Sequence, residues 1–158
     1  MSLHSLAEHV AEILDIGPGT RVFEVDCGRG DFLLPLHQNG YIVGGIDDDP
    51  DAIKDAIAAM PDGVFQIGSA TALDPAVPWH VVACRSFAGA PDLDYMRGLL
   101  ARMFAKATHA IALLNVPDER RQWMLHALAE IGANAIQIED ATHDQNAGAG
   151  TFNVFARV

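Results

Sequence analysis

The run Glu24-Val25-Asp26-Cys27-Gly28-Arg29-Gly30-Asp31 sets two glycines one residue apart at the end of an apolar segment. Asp47 ends the next apolar segment, seventeen positions after Gly30. Two glycines at this spacing allow a tight turn whose backbone a ligand can approach closely. If a helix follows, its first N–H groups stand free. An acid at the end of the neighbouring strand can accept both hydroxyls of a ribose, each charge-assisted bond being worth roughly 1.5–3 kcal/mol. Turn and acid together point to a nucleoside ligand. The plainer reading is a tight turn and an ordinary strand-end acid.

A dinucleotide fingerprint needs a third small residue where the helix packs on the strand. That place holds Leu33. Asp31 and Asp26 would also face a pyrophosphate, and like charges about 4 Å apart cost on the order of 4 kcal/mol at an effective dielectric of 20. Both features speak against a nicotinamide-dependent oxidoreductase. No Gly-Lys-Ser/Thr triplet occurs, so a P-loop is absent.

Other residues carry chemistry more weakly. Glu24 either holds the turn through backbone N–H groups or is a solvated edge charge. In Asp47-Asp48-Asp49-Pro50-Asp51 the acids after Asp47 complement the start of the next helix rather than form a metal loop. Cys27 and Cys84 are small buried thiols before they are a redox pair. The seven histidines are scattered with no metal-ligand spacing. His143, beside Asp144 in a polar, Gly-rich segment, is a candidate general base against the plainer reading of a surface histidine. Arg85 and Asn115 follow apolar segments at places where a substrate could lie. Met96 and Met103 read as core, and Trp79 and Trp123 as core or rim.

These residues must be positioned by alternating helices and strands. Helical spacing of Leu3, Leu6, Val10, Ile13 and Leu14 predicts a helix over 2–15, stopped by Gly17-Pro18-Gly19. Strands are predicted over 21–26, 41–47, 64–67, 79–84, 108–114, 135–139 and 151–157. Asp31 is predicted to cap a helix ending at Asn39-Gly40. Pro50 opens a helix to Met60 whose buried stripe is Ile53, Ile57 and Met60. Further helices are predicted over 93–106 and 118–131, the latter amphipathic through Trp123, Leu125 and Leu128. The last two strands are expected to be antiparallel at the sheet edge. Alternation of this kind means an α/β, Rossmann-like, doubly wound sheet that is mostly parallel, with ligands at the carboxyl ends of its strands.

Composition narrows the partners. The chain has 158 residues, half of them hydrophobic, and fits one domain, with no linker or repeat. Asp and Glu total 21 against 10 Lys and Arg, a formal charge of -11. That field repels nucleic acid and anionic membrane surfaces. No segment has membrane-spanning length, no signal peptide is visible, and two cysteines make no disulfide scaffold, so a cytoplasmic setting is the default.

Val22-Phe23-Glu24-Val25-Asp26-Cys27-Gly28-Arg29-Gly30, followed by Gly45-Ile46-Asp47, resembles the first two motifs of the class I S-adenosylmethionine (SAM)-dependent methyltransferases. Phe65 to Ala70 and His80 to Cys84 resemble the next two segments, and the likeness in element order runs from Thr20 to the C-terminus. The resemblance implies seven strands in the order 3-2-1-4-5-7-6, the last antiparallel. It implies SAM as cofactor and methyl transfer to a small molecule. The turn would lie under the methionine portion of SAM, Asp47 would hold the ribose, Asp48 would flank the adenine, and Ser69 and Ala70 would edge it. The implied cofactor-binding set is thus Glu24, Asp26, Cys27, Gly28, Gly30, Asp47, Asp48, Ser69, Ala70 and Cys84. Cys84, Arg85, Ser86 and Phe87 would sit by the transferable methyl, with Arg85, Ser86, Phe87 and Asn115 toward the substrate. A net cation such as SAM suits an acidic cleft.

Three departures stand out. Asp26 occupies the place of the family's first glycine, where a carboxylate either pairs with the SAM ammonium or repels its carboxylate. Ser69 replaces an acid common after the third strand. The chain is short, with little to cover a substrate, so the substrate is small, a homodimer or other partner supplies a lid, or activity has been lost. The last case would leave a degenerate domain acting as a binding or interaction module.

Overall fold

The computed structural model describes residues 2–87, 90, 92–141 and 150–158. Seven strands form one sheet: β1 (Arg21–Val25), β2 (Ile42–Asp47), β3 (Val64–Ile67), β4 (Trp79–Cys84), β5 (Ala107–Pro117), β6 (Ile136–Asp140) and β7 (Thr151–Arg157). Their order is β3-β2-β1-β4-β5-β7-β6, as the resemblance implies. β1 to β5 are parallel, while β7 runs antiparallel to both β5 and β6. The edge strand at that end is therefore β6, with β7 inserted beside β5.

Alternation along the strands divides the core in two. On one face Phe23, Val25, Val82, Ile111 and Val154 pack against α4 (Leu93–Lys106) and α5 (Arg121–Glu130). On the other, Val22, Val81, Ala83, Ala112 and Phe155 pack against α1 (Leu3–Leu14), α2 (Leu33–Gln38) and α3 (Pro50–Ala59). Burial on both faces is what makes the central strands near-continuous apolar runs. Trp79, Met96 and Met103 lie in the core as expected, and Trp123 packs at its rim.

Several expectations are corrected. Asp31 does not cap α2: the chain makes one further turn, with Leu34 N–H donating to Gly30 O at 2.9 Å, and Phe32 takes the cap position with no side-chain bond. Ile57 is 46% exposed, because Ala52 and Ala56 join Ile53 on the inner face of α3 and rotate the buried stripe away from it. In α5 Leu128 is buried as expected, but its partners are Met124 and Ala127 rather than Trp123 and Leu125, because positions 124, 127 and 128 fall on one helical face. β5 extends past Leu114 because a bulge at Asn115, with φ of 58°, lets Val116 and Pro117 resume pairing with β7. Among the described residues no helix is long and apolar enough to cross a membrane.

Candidate functional site

The carboxyl ends of β1, β2 and β4 meet at the glycine turn. Asp26, Gly28 and Gly30 all have left-handed backbone, with φ of 55°, 55° and 81°. Glycine takes such values freely, and Asp is among the few other residues that tolerate them. Asp26 can thus stand where the family's pattern has glycine without breaking the turn.

The two glycines serve different ends. A Cβ on Gly30 would lie 2.5 Å from Met60 Cε, so Gly30 lets the end of α3 pack onto the turn. A Cβ on Gly28 would meet nothing within 4 Å. Its exposed side is open space, as a ligand's close approach requires.

Asp47 ties this turn to the next. Its Oδ2 accepts from Gly28 N–H at 2.8 Å and its Oδ1 from Asp49 N–H at 2.9 Å. The loop-holding role, one of the two readings open for Glu24, therefore belongs to Asp47. A carboxylate offers about four lone-pair sites, so these two bonds leave capacity for a diol. Asp48 is exposed beside it. Asp49 caps α3 by accepting from Asp51 and Ala52 N–H, which bears out the capping reading of the acidic run.

Glu24 is neither a loop clamp nor a solvated charge. It is fully buried, and its Oε1 accepts from Arg85 Nε at 2.7 Å across the β1–β4 pair. Among the described residues its Oε2 has no hydrogen-bond partner. Burial pushes its pKa up to about 7 against the opposing pull of Arg85, with Asp26 and Asp31 adding to the rise. The Arg85 guanidinium also lies over the Phe32 ring, 5.6 Å from its centroid.

Asp26 reaches β4's end, where Ser86 Oγ donates to its Oδ2 and lies 3.1 Å from Cys84 Sγ. Burial raises the Asp26 pKa, the Ser86 bond lowers it, and Asp47 and Asp48 raise it again. Cys27 and Cys84 are free, buried thiols in opposite cores, on either side of the sheet, so they form no redox pair. Burial pushes both up to about 12, which leaves them unreactive at neutral pH.

Ser69 is exposed, and its hydroxyl turns back to its own loop, accepting from Thr71 N–H at 3.0 Å. Ala70 and Phe87 are buried in the α4-side core. Asn115 sits in the β5 bulge, its N–H donating to Asn153 Oδ1 at 3.0 Å. His143 lies outside the described residues. Among the described residues no three His, Cys, Asp or Glu side chains could hold a metal ion.

Two groupings escaped sequence reasoning. One is the pair of buried Glu24 and half-buried Arg85, whose partners lie 61 positions apart. The other is a chain of bonds from His9 to Glu139 (2.8 Å), Glu139 to Asn153 (3.3 Å) and Asn153 to Asn115. Its one sequence signal is Asn153, a polar residue inside the apolar strand Thr151–Arg157 and wholly buried.

No protein-family model matches the chain, and no curated protein is detectably similar to it in sequence. Solved structures do match it in fold. Magnesium protoporphyrin IX methyltransferase from Synechocystis with bound SAM has a TM-score of 0.80 at 15% identity, covering 98% of this chain and 78% of that one. A SAM-bound amino pentose methyltransferase from Micromonospora echinaspora has 0.81 at 16% identity, covering 99% and 92%. A TehB-like SAM-dependent methyltransferase from Corynebacterium glutamicum has 0.74 at 14% identity, covering 100% and 88%. The likeness is one of fold: the chain has the seven-stranded architecture of these SAM-dependent enzymes.

Proposed function

We propose that the chain binds SAM at the carboxyl ends of β1, β2 and β4 and transfers its methyl group to a small-molecule acceptor. The observation that carries this reading is the Gly28 turn, open on its ligand side and tied by its own N–H to the Asp47 carboxylate. The solved structures of this fold that hold SAM support it.

Each residue then has a physical task. Gly28 and Gly30 keep the turn low enough for close approach, and Gly30 also seats Met60. Asp47 accepts the ribose hydroxyls with the lone pairs its two backbone bonds leave, and Asp48 flanks the adenine. Ser69 borders the base beside β2's end, with Ala70 and Cys84 buried beneath on the α4 side and Cys27 on the opposite side of the sheet. SAM, when bound, supplies an electrophilic methyl on a sulfonium sulfur. The protein's share is alignment, because in-line displacement gains most from holding acceptor and methyl in register. Arg85, held in place by Glu24, together with Ser86 and Asn115, borders the acceptor side, and Phe87 supports it from the core. The acidic field favours a cationic cofactor and disfavours nucleic acid as acceptor.

Titration calorimetry with SAM and with its demethylated product, S-adenosylhomocysteine, tests the reading. Micromolar or tighter binding is expected, weakened at least tenfold in Asp47→Ala. A flat trace at millimolar SAM rejects it.

A further inference from the structure

The two edges of the sheet are unlike. β6, at one end, carries Glu139 and Asp140, and charge on an edge strand is a common guard against pairing with another chain. β3, at the other end, is Val64-Phe65-Gln66-Ile67, with no charge, no proline and no bulge. In a chain of formal charge -11, no charged side chain occurs between Asp62 and Asp74. Six large apolar side chains are exposed among the described residues. Five of them, Ile42, Ile57, Val64, Ile67 and Val77, lie on β2, β3, α3 or the segment leading into β4. Val64 and Ile67, on β3 itself, are 54% and 60% exposed.

The backbone of β3 fixes what can pair with it. Gly68 N–H donates to Asp47 O at 2.8 Å, and Gln66 stands beside Ile46. Alternation along the strand therefore turns the peptide groups of Val64, Gln66 and Gly68 toward β2. Those of Phe65 and Ile67 turn outward, where no strand follows. Two such edges set antiparallel about a twofold axis at Gln66 place Phe65 opposite the partner's Ile67, and Ile67 opposite the partner's Phe65. Each of these pairs can exchange both N–H···O bonds. The same register sets aromatic Phe65 against the partner's Ile67 on the α3 side, a favourable cross-strand pair that covers an exposed side chain. Gln66 meets the partner's Gln66, where two neutral amides can bond each other and no like charges face.

A second copy thus complements the edge in backbone, side chain and charge. We infer that the chain forms a twofold dimer by joining its β3 edges, so that the two sheets become one. The inference is independent of what the site binds.

Sedimentation across a range of protein concentrations, with crosslinking, tests it. The wild type should show a monomer–dimer equilibrium that tightens with salt, because the rest of each copy repels the other. Ile67→Pro removes only an outward N–H, so it spares the β2–β3 ladder and should weaken the dimer at least tenfold. Gln66→Lys sets like charges face to face and should weaken it similarly, with part of the loss recovered at about 0.5 M salt. Gln66→Cys reads the register. Antiparallel partners of the non-hydrogen-bonded kind lie about 4.5 Å apart at Cα, within the roughly 4.4–6.8 Å that a disulfide spans. Under mild oxidation Gln66→Cys should link two copies quickly, and Ile67→Cys much more slowly. Cys27 and Cys84 are buried, so the wild type serves as the unlinked control. A wild type that stays monomeric up to about 1 mM overturns the inference and leaves the edge to an extended segment of another protein or to water. A dimer that neither Ile67→Pro nor Gln66→Lys weakens also overturns it, as does Ile67→Cys linking as fast as Gln66→Cys.

Discussion

Glu24 is the residue whose charge is hardest to keep. Its pKa in the fold, about 7, lies above its ordinary value of 4.5. The fold therefore binds its proton more tightly than the unfolded chain does. Its stabilising contribution is complete below about pH 4.5 and is lost as pH rises to about 7. Denaturant midpoints at pH 5 and pH 8 should show a fall that Glu24→Gln flattens, by on the order of 1–3 kcal/mol. An equal fall in both proteins would show that Glu24 does not titrate in this window. Arg85→Met should act in the opposite sense. At pH 8 it strands a buried carboxylate and should cost about 3 kcal/mol, but less at pH 5, where Glu24 can take up a proton. A cost independent of pH would mean that Arg85 matters through contacts other than its bond to Glu24.

At the scale of elements, the turn between β1 and α2 separates stability from binding. Gly30→Ala forces a methyl toward Met60 Cε and a strained φ of 81°, so it should lower stability by about 1–3 kcal/mol. Gly28→Ala meets no atom within 4 Å and carries only the backbone cost, about 1 kcal/mol. It should nonetheless abolish most SAM binding, because its methyl would fill the open side of the turn. Urea melts with calorimetry on both variants check this, and equal binding losses at equal stability would contradict the division of roles. The β5 bulge is a second such device. Asn153→Ala removes the acceptor for Asn115 N–H and a donor to Glu139, and should cost about 1–3 kcal/mol by urea denaturation. A neutral change would mean that water replaces both bonds.

Across the whole molecule, a formal charge of -11 opposes compaction and draws cations. Raising salt from about 0.05 to 0.5 M shortens the screening length from above 10 Å to below it. The melting temperature should rise while the affinity for SAM falls. A melting temperature that falls with salt would show that attractive pairs, such as Arg97–Glu130 and Arg121–Asp118, outweigh the net repulsion.

Element order, strand identity and the glycine turn with its acid were legible in the sequence, because each rests on local chemistry. Period-2 and period-3.6 patterning requires only neighbours along the chain, and positive φ at Gly28 and Gly30 follows from having no Cβ. The double use of Asp47 and the burial of Glu24 against Arg85 were decided only by tertiary structure. So was the reach of Asp26 to Ser86. In each case the partner arrives from another strand or turn, and no spacing in the chain records which face or which end will meet it. Helix faces divide in the same way. The period of α3 was visible, but small Ala52 and Ala56 took the inner seat from Ile57 because close packing against the sheet, not hydrophobicity alone, sets the rotation of a helix about its axis.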